Sequence, residues 1–147
     1  MEVINKRITT FLEVLKSLNE GMDLFSHYKI PQKFTLKNEE ILEAIRDATI
    51  HRFKCCTALI WKVLKNYLED IEEINIDVLS PRVIIRETVK SGLISESEGS
   101  ELMNMVGSRN KIPYMYRKVV ADDIANKIPQ YYTLMQTIID RIQKQLM

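Results

Sequence analysis

Residues 38–71 read NEEILEAIRDATIHRFKCCTALIWKVLKNYLEDI. Leu42, Ile45, Thr49, Phe53, Cys56, Ile60, Leu64, Tyr67 and Ile71 recur there at helical steps, which places them on one face of a long α-helix. Asn38 precedes Glu39 and Glu40, a capping side chain followed by carboxylates that suit a helix N-terminus. This stretch is expected to be the central helix. Ala48, Leu59, Trp61 and Val63 widen its apolar stripe beyond one seam, so it should meet more than one neighbour, a second copy of the chain among the candidates.

Upstream, Ile4, Ile8, Phe11, Leu15, Leu18, Met22 and Phe25 alternate steps of four and three residues, close to the repeat of a left-handed bundle seam. Lys29-Ile30-Pro31 should break that helix, because proline cannot continue the hydrogen-bond ladder. Downstream, Ser80-Pro81 opens a short helix with a capping hydroxyl and a proline at its first position, Leu79 placed to pack on Ile84, and Gly92 at its end. Ser95 and Glu98 have capping-box spacing for a fourth helix through Leu102, Met105 and Val106, stopping before Pro113. The last stripe is Val120, Ile124, Ile128, Tyr131, Met135, Ile138, Ile142 and Leu146, with Pro129 predicting a kink or a short break. The expectation is an all-α, up-and-down antiparallel bundle of four to five helices, with a kinked C-terminal helix, forming a single domain over 1–147.

The composition agrees. The chain is 46% hydrophobic, enough for one continuous core in 147 residues, and only 4 Gly and 4 Pro interrupt it. With 21 basic and 20 acidic residues the net charge is +1, so any attraction for nucleic acid has to be local. Charges at Glu2, Lys6, Arg7 and Glu13 interrupt the N-terminal apolar positions, and neither terminus carries a run of signal or membrane-spanning length, so a cytoplasmic protein with no membrane partner is expected. Adjacent Cys55 and Cys56 point apart on a helix and are read as two free thiols. Together with the distant His27 and His51 they lack the clustered spacing of a zinc site, and neither metal nor cofactor is expected.

There is no Gly-rich phosphate loop, no Ser/His/Asp arrangement readable from spacing and no His-x-x-x-His pair. Two stretches remain as carriers of chemistry. One is Arg46-Asp47-Ala48 with His51 and Arg52-Phe53, continuing to Trp61-Lys62. The other is Arg109-Asn110-Lys111-Ile112-Pro113-Tyr114-Met115-Tyr116. Taken with Ser80-Pro81-Arg82 and Arg86-Glu87, these blocks resemble the HEPN family, specifically the proteins described as nucleotidyltransferase substrate-binding subunits, over about Ile45 to Tyr132.

The resemblance implies a homodimer, a separate minimal nucleotidyltransferase as partner in a toxin–antitoxin pair, and a metal-independent ribonuclease. In that chemistry Arg steadies the RNA phosphate and His moves protons at a motif that reads Arg, four residues, His, any residue, Tyr. Arg109 and Tyr116 match the motif, but Tyr114 stands in the position of its His. An imidazole titrates near about 6.5 and a phenol near about 10, so a phenol is an ineffective base at neutrality. Loss of acid–base help typically costs roughly 10²- to 10⁴-fold in rate, which implies a ribonuclease weakened or lost.

The motif's tyrosine, here Tyr116, is in some family members an AMP acceptor; the competing reading is an ordinary half-buried tyrosine. Arg109 also admits a plainer role, since a cation in the last turn of a helix is favoured by the dipole. Asn110 beside it and Tyr116 in register favour the functional role. Asp47 and His51, one turn apart, are read as a surface pair, with the alternative that one of them faces the Arg109 pocket. Phe53 and Trp61 are read as packing residues. A non-catalytic subunit that docks the nucleotidyltransferase is the alternative function. The chain is not expected to be a nucleotidyltransferase itself, for it lacks the Asp-x-Asp pattern that follows a Gly-Ser segment in such enzymes.

Overall fold

A computed structural model describes residues 2–29 and 36–147. They form α1 (Glu2–Lys29), α2 (Leu36–Asp70), α3 (Pro81–Ser91), α4 (Glu96–Asn110) and α5 (Lys118–Leu146), with a 3₁₀ turn at Ile112–Tyr114 and no strand among the described residues. The expected break at Lys29-Ile30-Pro31 lies partly outside them. Helix α2 begins at Leu36, so Asn38 falls inside its first turn instead of before it.

Hydrogen bonds between helices fix the directions. Arg7 of α1 donates to the side chain of Asn66 of α2, and Arg52 of α2 donates to the Ser17 carbonyl at 2.7 Å, so numbers rise on one helix as they fall on the other. Arg46 pairs with Asp122 and Phe53 with Tyr131, so α2 and α5 run parallel. Glu98 pairs with Arg141 and Ser108 with Tyr131, so α4 runs against α5. Helices α1, α2, α4 and α5 therefore alternate as an up-and-down bundle, and α3 packs against α2 and α4.

The apolar stripes converge on one core. Ile4, Phe11, Leu15 and Leu18 of α1 meet Phe53, Cys56, Ile60 and Leu64 of α2 and Ile124, Ile128, Met135 and Ile138 of α5, all buried. Burial of each such side chain contributes roughly 1.5–3 kcal/mol relative to exposure. Much of the widened stripe of α2 is consumed within the chain: Trp61 and Val63 are buried and Leu59 half-buried, while Ala48 is exposed. Phe53 and Trp61 are core residues, as expected.

Most local signals acted as the sequence suggests. Ser95 and Glu98 form a complete capping box, and Gly92 ends α3 in the left-handed conformation with φ 84°. Ser80 holds the cap position of α3 and Pro81 its first turn, but the Ser80 hydroxyl makes no cap hydrogen bond, and Leu79 stays exposed. Helix α5 passes through Pro129 without a break: the proline is exposed, and the missing N–H costs one rung of a ladder that twenty-nine residues sustain.

Candidate functional site

The Arg109 segment sits where α4 ends and α5 begins. Leu102, Met105 and Ser108 continue one buried stripe to the C-terminus of α4. Ser108 replaces what would be an apolar residue, and its hydroxyl meets that of Tyr131 at 3.0 Å inside the protein. The Tyr131 ring stacks on Phe53 at 5.8 Å between centroids and 17° between planes. One buried tyrosine thus ties the last turn of α4 to α2 and α5.

The next residue, Arg109, is half-buried, and its guanidinium has no hydrogen bond or ion pair with the described residues. A capping role for its side chain is not what the structure displays: the carbonyls of Ser108 and Arg109 accept from the backbone N–H of Lys111. Asn110 is exposed beyond it.

The chain then turns. Tyr114 N–H donates to the Lys111 carbonyl at 2.9 Å, Met115 N–H to Ile112 at 3.0 Å, and Arg117 N–H to Tyr114 at 3.2 Å, with buried Ile112 anchoring the turn. Tyr114 is 57% and Tyr116 81% exposed, and neither hydroxyl has a partner among the described residues. Tyr116 is therefore not the half-buried residue of the plainer reading. From Leu102 to Ala121 the sequence contains Arg109, Lys111, Arg117 and Lys118 and no carboxylate. None of these four cations is in an ion pair with a described residue, which gives a nearly neutral protein a local patch suited to phosphate groups.

Arg46 is the functional-looking residue that periodicity alone missed. It lies on the apolar face of α2, four residues after Leu42, and is only 6% exposed. Nε donates to Asp47 and Nη1 to Asp122, each at 3.0 Å. Burial disfavours its charge, but the two carboxylates more than offset this and hold its pKa above the ordinary value. The pair with Asp122 clamps the first turns of α5 onto α2, next to Lys118, and Arg46, Lys118 and Asp122 share the wall of a cavity of about 320 Å³.

This arrangement alters the reading of Asp47 and His51. Asp47 is engaged by Arg46, and the expected Asp47–His51 surface pair does not form: the His51 ring nitrogen lies 3.9 Å from Cys55 Sγ, on the exposed side of α2. Cys55 is half-buried and Cys56 buried, both as free thiols, and burial followed by the neighbouring Cys55 pushes the Cys56 thiol up to about 12. No group of three or more His, Cys, Asp or Glu among the described residues is placed to hold a metal ion, and no described helix is long and apolar enough to cross a membrane.

The family model described as nucleotidyltransferase substrate binding protein like matches residues 6–144. The chain belongs to this HEPN-like family. Solved structures share its fold. A Haemophilus influenzae protein described as revealing the fold of a substrate-binding domain of a nucleotidyltransferase superposes with a TM-score of 0.78 at 16% identity, covering 92% of this chain and 98% of that one. A tri-AMPylated Shewanella oneidensis HEPN toxin in complex with its MNT antitoxin gives 0.71 at 16% identity, covering 98% of both chains. A Thermus thermophilus protein gives 0.64 at 24% identity, covering 85% of this chain and 98% of that one. No curated protein matches the chain.

Proposed function

We propose that this chain is the HEPN toxin-like component of a two-component toxin–antitoxin pair, that it binds a separate minimal nucleotidyltransferase, and that its metal-independent ribonuclease activity is weakened or lost. It works as a homodimer in the cytoplasm. The observation that carries this reading is the unpaired Arg109 guanidinium at the end of α4, followed by two exposed phenols in a basic stretch free of carboxylates. An arginine held by the Ser108–Tyr131 tie but left without a partner is available to a phosphate.

Tyr114 supplies a hydrogen-bond donor where relatives with the full motif supply an imidazole. The cleavage of RNA needs a group that takes a proton from the ribose hydroxyl and another that returns one to the leaving oxygen. Arg109 would steady the phosphate, but no described imidazole stands beside it in the segment, because His51 lies on α2 against Cys55. Tyr116 is the AMP acceptor, its exposure open to an enzyme and its neighbours Arg117 and Lys118 suited to the nucleotide's phosphates. The Shewanella oneidensis HEPN toxin, tri-AMPylated and bound to its antitoxin, supports that assignment.

The same tyrosine favours one second reading, a non-catalytic substrate-binding or docking subunit of a two-component nucleotidyltransferase. Purified protein incubated with RNA separates the two. Weak cleavage that disappears in Arg109→Ala supports the degenerate ribonuclease, and strong cleavage by Tyr114→His supports a site lacking only its proton shuttle. No cleavage by wild type or by Tyr114→His leaves the docking subunit as the function. Failure to form a complex with a cognate minimal nucleotidyltransferase would overturn both.

A further inference from the structure

The chain has six tyrosines, and the surroundings of the five described side chains, Tyr67, Tyr114, Tyr116, Tyr131 and Tyr132, sort them. Tyr67 is buried with its hydroxyl donating to Glu72 at 2.6 Å, Tyr131 is buried against Ser108, and Tyr132 packs half-buried on the core. Among the described tyrosines only Tyr114 and Tyr116 present an open, unpartnered phenol to another macromolecule. Only Met115 separates them, so their Cα atoms lie within about 7 Å, and an active site that reaches one needs only a small shift to reach the other.

The electrostatics serve both positions alike. Lys111 lies three residues before Tyr114, and Arg117 and Lys118 follow Tyr116, with the first carboxylate of this region at Asp122. Within this segment a triphosphate approaching either phenol has cations beside it in the chain and no carboxylate before Asp122. The 3₁₀ turn holds Tyr114 on a backbone already hydrogen-bonded and anchored by Ile112, so presenting it demands little further ordering.

We infer that Tyr114 is a second acceptor of AMP, modified in addition to Tyr116 by the partner nucleotidyltransferase; the inference rests on the pairing proposed above. The Tyr114 phenolic oxygen attacks the α-phosphorus of ATP, forming a P–O bond as the α–β anhydride bond breaks. Pyrophosphate leaves, and the phenolic proton passes to a base on the nucleotidyltransferase and then to water. The position that in the motif carries a proton shuttle becomes, in this chain, a second place for bulky anionic cover over Arg109.

The test mixes the chain with its cognate minimal nucleotidyltransferase, ATP and Mg²⁺, and follows wild type, Tyr116→Phe, Tyr114→Phe and the double variant by intact mass and site-localising tandem spectra. Both side chains are exposed, so the variants should keep the wild-type circular dichroism. The expected result is AMP at both positions in wild type, at Tyr114 in Tyr116→Phe, at Tyr116 in Tyr114→Phe, and on neither in the double variant. AMP confined to Tyr116 in wild type, with Tyr116→Phe unmodified, overturns the second acceptor and leaves the pairing intact. A complete lack of adducts on wild type overturns the AMP-acceptor reading itself.

Discussion

Removing the Ser108 hydroxyl strands the phenol of Tyr131, a group that is 1% exposed and has Ser108 as its partner at 3.0 Å. A buried polar group left unsatisfied costs about 1–3 kcal/mol, so Ser108→Ala should destabilise the protein by that amount and lower its Tm by several degrees. Tyr131→Phe should cost less, about 1 kcal/mol, for two reasons. Its ring still stacks on Phe53, and the Ser108 hydroxyl can turn to the carbonyl of Asn104 one helical turn earlier. The double variant removes donor and acceptor together and should cost less than the sum of the single changes by about 1 kcal/mol. Urea unfolding of the four proteins, followed by circular dichroism, measures this cycle. Since Ser108 immediately precedes Arg109, Ser108→Ala should also weaken binding of a short RNA, read by fluorescence anisotropy, although Arg109 is untouched. Additivity of the two single changes within about 0.3–0.5 kcal/mol would refute the argument that this hydroxyl pair holds the end of α4.

Arg109→Ala should leave stability within about 0.5 kcal/mol of wild type while abolishing RNA binding, because the side chain makes no internal hydrogen bond or ion pair; a clear loss of Tm would restore the helix-capping role. Ellman's reagent at pH 8 should titrate Cys55 in the native protein and leave Cys56 unreacted until unfolding, given that burial pushes the Cys56 thiol up to about 12; equal rates at both would contradict the burial argument. The Arg141 guanidinium, 2.8 Å from Glu98, holds that carboxyl below its usual range despite an opposing contribution from burial, with Ser95 assisting. A depressed folded pKa means that the pair's contribution is present above the unfolded value of about 4.3 and is lost as pH falls through the folded value. Acid unfolding of Glu98→Gln should therefore depend less steeply on pH below that value than wild type, and parallel curves would remove Glu98 from the explanation. Gly99→Ala should destabilise α4, since its Cβ would come 2.8 Å from Val89 Cγ2, a contact that outweighs the helix-propensity gain of about 1 kcal/mol; Val89→Ala in the same chain should restore thermal stability, and a Gly99→Ala protein as stable as wild type would refute the clash.

Much of the architecture was legible in local pattern. The stripe from Leu42 to Tyr67 names the face of α2 that is buried, Ser95 and Glu98 name the start of α4, and Gly92 the end of α3, because each depends on groups within one or two turns. Arg109, Tyr114 and Tyr116 could be singled out only by resemblance, since nothing in their spacing distinguishes a free guanidinium from a capping one. Ser108 left a faint signal, a polar residue continuing the stripe of Leu102 and Met105, and Arg46 left another in the stripe of α2.

Local pattern is enough to say where helices run, which faces are apolar and that no imidazole follows Arg109 at the motif spacing. Which polar atoms meet is set by how the helices pack. Arg46 finds Asp122 across 76 residues and Ser108 finds Tyr131 across 23, while Asp47 turns to Arg46 and leaves His51 beside Cys55. Hydrophobic period fixes how a helix faces the core, but partners on different helices depend on their relative rotation and register, and those emerge when the whole core packs.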